Sequence, residues 1–305
     1  MKNGTSAELQ RILNDTRDEI AFDKSRQSPK RIRRMINDAP AIISFYEAIS
    51  SGQGMIAEIK DRSPSQGTML HQNVEDAPYA YKKSSLVKAI SVLTNRSNFG
   101  AKNGVKTLLD IKARASKPVL RKDFIFDEYQ VYQARAYGAD AILLMANILE
   151  KDEVRRLSDL AFELKMDVLF ETHCPGELAE LPSTANIIGI NCRNFNGNGL
   201  QPSSFKMAKF LRQWIGVQHD NSINVSRFEY LNDIPAHAIK IAESGVTSKN
   251  CAEVFSMGFN AVLVGTSLLM DKRGVSAALH DFEMTMKGSE KKPARPFQSF
   301  QPVTA

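Results

Sequence analysis

Residues 117–145 read KPVLRKDFIFDEYQVYQARAYGADAILLM. Two short apolar runs, Pro118 to Phe124 and Ala141 to Met145, flank a stretch with helical periodicity, which is the pattern of a strand–helix–strand unit. The unit repeats outward in both directions. Earlier runs are Met55 to Lys60 (MIAEIK) and Leu86 to Thr94 (LVKAISVLT); later ones are Asp167 to Thr172 (DVLFET), Ile187 to Asn191 (IIGIN), Ile239 to Ser244 and Ala261 to Gly265 (AVLVG). Most start about 20 to 30 residues apart, the length of one βα unit. Eight successive units predict an α/β fold of the closed (β/α)8 TIM-barrel type. A doubly wound open sheet is the alternative, but a glycine fingerprint would follow its first strand, and AEIKDRSPS holds none.

Three regions lie outside the repeat. Ala7 to Lys24 and Arg31 to Ser50 read as helices, with Leu9, Ile12 and Leu13 at helical spacing; residues 1–54 are expected to form an N-terminal helical extension that caps the barrel or covers its mouth. Residues 55–287 then form the catalytic barrel. Between Asn191 and Ile239 lies an enlarged segment after strand 6, with loop-like NFNGNG and HDNSIN around a helix-like SSFKMAKFLRQW. Residues 288–305 are polar, Pro-bearing and without periodicity, and are expected to be a disordered tail.

With 305 residues and 43% hydrophobic content, the chain can bury one large core. No run of about 18 apolar residues occurs, and the start MKNGTSAELQ lacks a secretory apolar region, so a soluble protein with no membrane partner is expected. Cys174, Cys192 and Cys251 are odd in number and far apart, which suits buried structural thiols in a reducing cytoplasm better than disulfides or a zinc site. The net charge of +6 is modest. The basic clusters, Arg31 to Arg34 and the tail, lack interleaved aromatics and read as solvated surface, so no nucleic-acid partner is expected. A mild positive bias also suits an anionic small molecule.

In a barrel, the C-terminal ends of the strands face the active site. Here they carry Glu58 and Lys60, Lys122 and Asp123, Glu171, Asn191 and Arg193, and Glu243 with Ser244. Any one could be a surface charge; five strands ending this way point to a site. Glu58 and Lys60, two apart, share a face of the sheet and enter the mouth together. Lysines buried beside glutamates tune each other's proton affinity and can donate and accept protons near neutral pH. A structural ion-pair layer is the competing reading of the same residues. After the last two strands stand Glu243-Ser244-Gly245 and Gly265-Thr266-Ser267. Glycines admit an anion to the backbone and the hydroxyls donate to it, and loops after strands seven and eight are the usual phosphate site of a barrel. Each alone is ordinary turn chemistry.

At these residues the sequence closely resembles the indole-3-glycerol phosphate synthase family. The matching segments are IAEIKDRSPSQG, SVLTNRSNFG, KPVLRKDFIFDEYQVYQARAYGADAILLMANIL, LFETH, IIGINCRNF, IAESGV and AVLVGTSLL, in the family's order from about Met55 to Leu269. The resemblance implies ring closure of 1-(2-carboxyphenylamino)-1-deoxyribulose 5-phosphate to indole-3-glycerol phosphate, with loss of carbon dioxide and water and with no metal or organic cofactor. It assigns Lys122 as the general acid at the ribulose carbonyl. Lys60 binds the substrate carboxylate and is a further donor for the departing hydroxyl; Glu171 is the partner base, with Glu58 and Asn191 positioning. Phe99, Phe124 and Leu143 match the apolar pocket for the anthranilate ring, although each could equally be core. Ser63, Ser244, Gly245, Gly265 and Thr266 match the phosphate site, and Arg193 and Glu243 match residues beside the substrate. Residue type alone leaves open how acid and base roles divide among Lys60, Lys122, Glu58 and Glu171.

The family pattern has a second asparagine after Asn191 and a threonine-phenylalanine-valine run after Arg193; this chain has Cys192, no such run, and then the enlarged segment. A paralogue in specialised metabolism is therefore an alternative. A phosphoribosylanthranilate isomerase would need a cysteine at the end of the first strand, where AEIK has none. A non-catalytic phosphosugar-binding barrel would predict broken catalytic positions, and Glu58, Lys60, Lys122, Glu171 and Asn191 are all present. Monomeric and dimeric barrels share these patterns, which leaves the oligomeric state open.

Overall fold

Parallel strands sandwiched between a core and a layer of helices must be apolar on both faces, and the apolar runs satisfy that demand. In the computed structural model, which describes residues 2, 6–63, 66–191 and 230–289, they form eight barrel strands. These are β1 Gly54–Ile59, β2 Val87–Leu93, β3 Val119–Lys122, β4 Ala141–Met145, β5 Asp167–Thr172, β6 Ile187–Asn191, β7 Ile239–Glu243 and β8 Ala261–Val264. Each pairs in parallel with its sequence neighbour and β8 closes on β1. The expected (β/α)8 barrel is the observed fold. A two-stranded hairpin, Arg62–Ser63 with Gly67–Thr68, stands on the loop after β1.

The helices are α1 Ala7–Arg26, α2 Pro29–Met35, α3 Phe45–Ser50, α4 His71–Lys83, α5 Arg96–Phe99, α6 Thr107–Ala115, α7 Glu128–Ala136, α8 Lys151–Glu163, α9 Pro175–Leu178, α10 Cys251–Ser256, α11 Thr266–Leu269 and α12 Val275–Ser289. Local sequence sets their starts. Asp127 accepts from the Tyr129 N–H while Gln130 accepts from the Asp127 N–H, a reciprocal cap that begins α7 directly after the β3 loop. The last helix runs to Ser289, one residue past the expected start of the tail. The remaining tail and the segment 192–229, with its helix-like stretch, lie outside the described residues.

The extension embraces both ends of the barrel. On α1, Thr16 accepts from the Asn95 side chain at 3.0 Å and Glu19 from the Ser97 N–H at 2.7 Å, so this helix lies over the loop leaving β2 on the mouth side. At the opposite end, Phe45 and Ile49 of α3 are fully buried, and the N–H groups of Phe45 and Tyr46 donate to Asp167, the first residue of β5. The sequence suggested one helix over Arg31 to Ser50; the structure breaks it. Pro40 has no N–H to donate and drives Ala39 to extended backbone at ψ 147°, so α2 ends through a 3-10 turn at Ile36–Asp38.

Asp140, just before β4, ties three elements together. Its carboxylate accepts from the Ile43 N–H at 2.8 Å and the Val119 N–H at 2.7 Å and pairs with Lys112 of α6. Since it is fully buried, Asp140→Ala leaves a desolvated ammonium and two orphaned N–H groups. The expected loss is about 3–5 kcal/mol in urea-unfolding stability, with kcat within a few-fold of the parent.

Candidate active site

Strand alternation decides which terminal side chains share the mouth. Register sets Glu58 beside Ser91, Met145 beside Glu171, and Asn191 beside Glu243. From β3, Lys122 crosses the mouth to place its Nζ 3.0 Å from Glu171 Oε2 on β5 and 3.0 Å from Glu243 Oε2 on β7. Lys60, one residue past β1, pairs with Glu58 on the same strand face. Asn191 closes the group: it hydrogen-bonds Glu171 and accepts from Ser244 Oγ at 2.9 Å. Glu58, Lys60, Lys122, Glu171, Asn191 and Glu243 are thus brought together as one cluster.

Asp123, its neighbours' equal as a strand-end charge in the sequence, points the other way. It pairs with Arg121 at 3.0 Å and accepts from Thr94 Oγ1, and Arg121 also donates to Gln130 and Gln133 behind the barrel wall. That buried network is structural. It anchors β3 from outside while Lys122 points inside.

Burial and shared charge set the protonation states. The side chains of Glu171 and Glu243 are each 1% exposed, against 15% for Lys122, so the lysine is the most open member of the trio. Burial alone would push Lys122 down, but Glu171, Glu243 and Glu58 outweigh it and hold the ammonium well above the ordinary lysine range. Two carboxylates around one cation cannot both ionise freely. Burial and the neighbouring Glu171 charge push Glu243 up; Glu171, also opposed by burial, is held down by Lys122 and His173. The surroundings thus favour Glu171 as the carboxylate of the pair and Glu243 as the one that keeps a proton longer.

A pH dependence follows. As Glu243 ionises, with its carboxyl pushed up to about 8, a second negative charge arises 3.0 Å from Lys122 and makes it a weaker acid. The kcat profile is expected to fall on its alkaline side, and Glu243→Gln is expected to carry that limb to higher pH. A limb that stays in place in this variant would assign it to another group.

Two of the three apolar residues meet. Phe99 and Phe124 stack with ring centroids 6.1 Å apart and 18° between planes, and Leu143 is buried on β4. Of the residues expected to take phosphate, Ser63 is buried on the hairpin after β1, and Ser244 and Gly245 leave β7 in left-handed conformation at φ 68° and 76°. Left-handed backbone is costly for serine, and the bond from its hydroxyl to Asn191 helps hold it there. Gly265 follows β8 and Thr266 opens α11; because β7, β8 and β1 are neighbours in the barrel, these loops are adjacent. Arg193 and Cys192 lie outside the described residues. The expectation of buried thiols holds for Cys251 and fails for Cys174, which is exposed on the loop after β5.

Three site residues escaped the sequence reading. A Cβ at Gly189 would lie 2.1 Å from Glu243 Oε1, so this glycine makes room for the carboxylate; a glycine inside an apolar strand was the available signal. Gly265 was noticed, but as a phosphate residue. A Cβ there would meet Glu58 Oε1 at 2.3 Å, so it also clears space for that side chain. His173 and Glu177, after β5, stand next to Glu171 with no signal beyond their place at a strand end.

Paired lysines and glutamates converging at the C-terminal mouth of a closed parallel barrel define a (β/α)8-barrel acid–base enzyme. Comparison with known proteins gives the same answer in finer detail. A family model described as indole-3-glycerol phosphate synthase matches residues 9–200. An indole-3-glycerol phosphate synthase of Bacteroides thetaiotaomicron is 31% identical over 263 residues, covering 86% of this chain and 92% of its own. One of Chlorobium phaeovibrioides is 34% identical, covering 85% and 93% respectively. The tryptophan biosynthesis protein TrpCF of Buchnera aphidicola is 34% identical over 87% of this chain and 53% of its own. The chain belongs to the indole-3-glycerol phosphate synthase family.

Proposed function

We propose that this chain closes the indole ring of tryptophan biosynthesis as a carbon–carbon lyase of the carboxy-lyase type, converting 1-(2-carboxyphenylamino)-1-deoxyribulose 5-phosphate to indole-3-glycerol phosphate. The observation that carries this reading is Lys122 held between Glu171 and Glu243, in one mouth with Lys60 and Glu58. The aromatic carbon bearing the carboxylate attacks the ribulose carbonyl carbon, and Lys122 gives its proton to the carbonyl oxygen as that oxygen gains charge. The bond to the carboxylate then breaks; carbon dioxide leaves and its electron pair restores the aromatic ring. Finally the new hydroxyl departs as water with a proton from Lys60, while Glu171 takes a proton from the adjacent ring methylene and the double bond of indole forms. Two protons are donated at different oxygens, which is why two lysines are needed.

Lys60 holds the substrate carboxylate until it leaves, and Glu58 and Asn191 orient the lysines and substrate hydroxyls. The Phe99–Phe124 stack and Leu143 offer a flat apolar wall to the anthranilate ring, and Ser63, Ser244, Gly245, Gly265 and Thr266 take the phosphate. Glu243 and Arg193 complete the contacts with substrate. Residues 1–54 serve as the extension of a catalytic barrel spanning 55–287. The partner is a small phosphorylated molecule, and cytoplasmic residence suits three widely spaced cysteines. Among the described residues no helix is long and apolar enough to cross a membrane. Full-length protein mixed with the substrate should develop indole fluorescence. Folded protein that binds the substrate and yields no fluorescence would favour a non-catalytic barrel.

A further inference from the structure

His173 follows β5 directly and stands two residues after Glu171, so the two side chains fall on the same face of the chain. Its Nε2 lies 3.4 Å from Glu171 Oε1, the oxygen that Lys122 does not use. Its Nδ1 faces Glu177 Oε2 at 3.7 Å, and the same carboxylate accepts the His173 backbone N–H at 2.6 Å. Glu177 sits in the first turn of α9, which Pro175 starts, so the loop is pinned where it leaves the strand. The imidazole thus stands between two carboxylates, one catalytic and one not.

We infer that His173 is a positioning residue for the ring-closing reaction: clamped by Glu177, it holds the outer oxygen of Glu171 so that the inner one is presented to Lys122 and substrate. The contrast with Glu243 supports this. Glu243 also gives Oε2 to Lys122, but its Oε1 is turned to the space left by Gly189. Glu171 has Lys122 at one oxygen and the His173 imidazole at ion-pair distance from the other, and a carboxylate so flanked is the better one to keep ionised. The groups facing Glu171 are Lys122 from β3, His173 from its own strand end, Asn191 from β6 and Glu243 from β7; Glu58 on β1 acts on the shared lysine. His173 in this way selects which glutamate serves as the base.

The inference rests on the synthase reading, and one of its two tests is independent of turnover. In protein carrying 13C-carboxyl glutamate, the titration midpoint of Glu171 is read by NMR in the parent, His173→Ala, His173→Gln and Glu177→Gln. Losing a group that favours the charged form raises a carboxyl's pKa, so the Glu171 midpoint should rise by about one unit in His173→Ala. It should rise less in Glu177→Gln and recover much of the difference in His173→Gln, which keeps a donor. In turnover, the acid limb of kcat should move up with the midpoint, kcat at neutral pH should fall about ten-fold, and KM should stay within a few-fold. An unchanged Glu171 midpoint in His173→Ala overturns the inference, and so does a loss in KM alone. Should His173→Ala fail to fold, an unchanged midpoint in Glu177→Gln overturns it equally. If the parent protein does not turn over the substrate, the synthase reading fails and the NMR comparison still decides the role of His173.

Discussion

Lys122→Ala is expected to lower kcat by about three to four orders of magnitude while the barrel stays folded. A positioned general acid contributes about 10²–10⁴ in rate, and the same ammonium also stabilises the negative charge that develops on the carbonyl oxygen. Both effects leave with the side chain. The fold should tolerate the loss because Glu171 and Glu243 need not remain charged: without a cation, the buried pair takes up protons. Lys122→Arg should not rescue activity, since the larger planar guanidinium keeps the charge but cannot take the ammonium's place between Glu171 and Glu243. Steady-state kinetics beside a circular-dichroism melt would check this; a Lys122→Ala enzyme within ten-fold of the parent would remove Lys122 from the chemistry.

Glu171→Gln has the second-largest expected effect, a fall of about two to three orders of magnitude in kcat with KM little changed. The amide keeps the shape and a hydrogen bond to Lys122 but cannot accept the methylene proton. It should also change its neighbour. With the like charge of Glu171 gone, Glu243 becomes the nearest counter-ion of Lys122, and its raised carboxyl should move back down. The alkaline limb that the parent owes to Glu243 should then disappear from whatever activity is left. A variant with low kcat and an unshifted limb would show that the two carboxylates are not coupled through Lys122.

The barrel was legible because the signal repeats: each strand is a short apolar run, and a wrong boundary at one leaves the others standing. Strand ends were legible for the same reason, and Glu243 and Asn191 each fall on the last residue of an observed strand. What was read less well depended on direction or distance. Lys122 and Asp123 looked alike as strand-end charges, but adjacent residues face opposite sides, and only Lys122 enters the mouth. Pro40 marked the break between α2 and α3 in plain sight, yet the apolar spacing on either side concealed it. Gly189 was unreadable in another way, since its purpose is the space it leaves for a glutamate on the next strand. Nor does sequence spacing reveal that Glu171 and Glu177 bracket the His173 imidazole; that requires the turn after β5.

The central claim is that the lysine–glutamate mouth joins decarboxylation to ring closure in one enzyme. Released carbon dioxide and indole fluorescence, measured together on full-length protein given 1-(2-carboxyphenylamino)-1-deoxyribulose 5-phosphate, test it most directly. The account predicts one carbon dioxide for each indole formed, with both signals lost together in Lys122→Ala. Carbon dioxide without indole, or both signals persisting in Lys122→Ala, would contradict it.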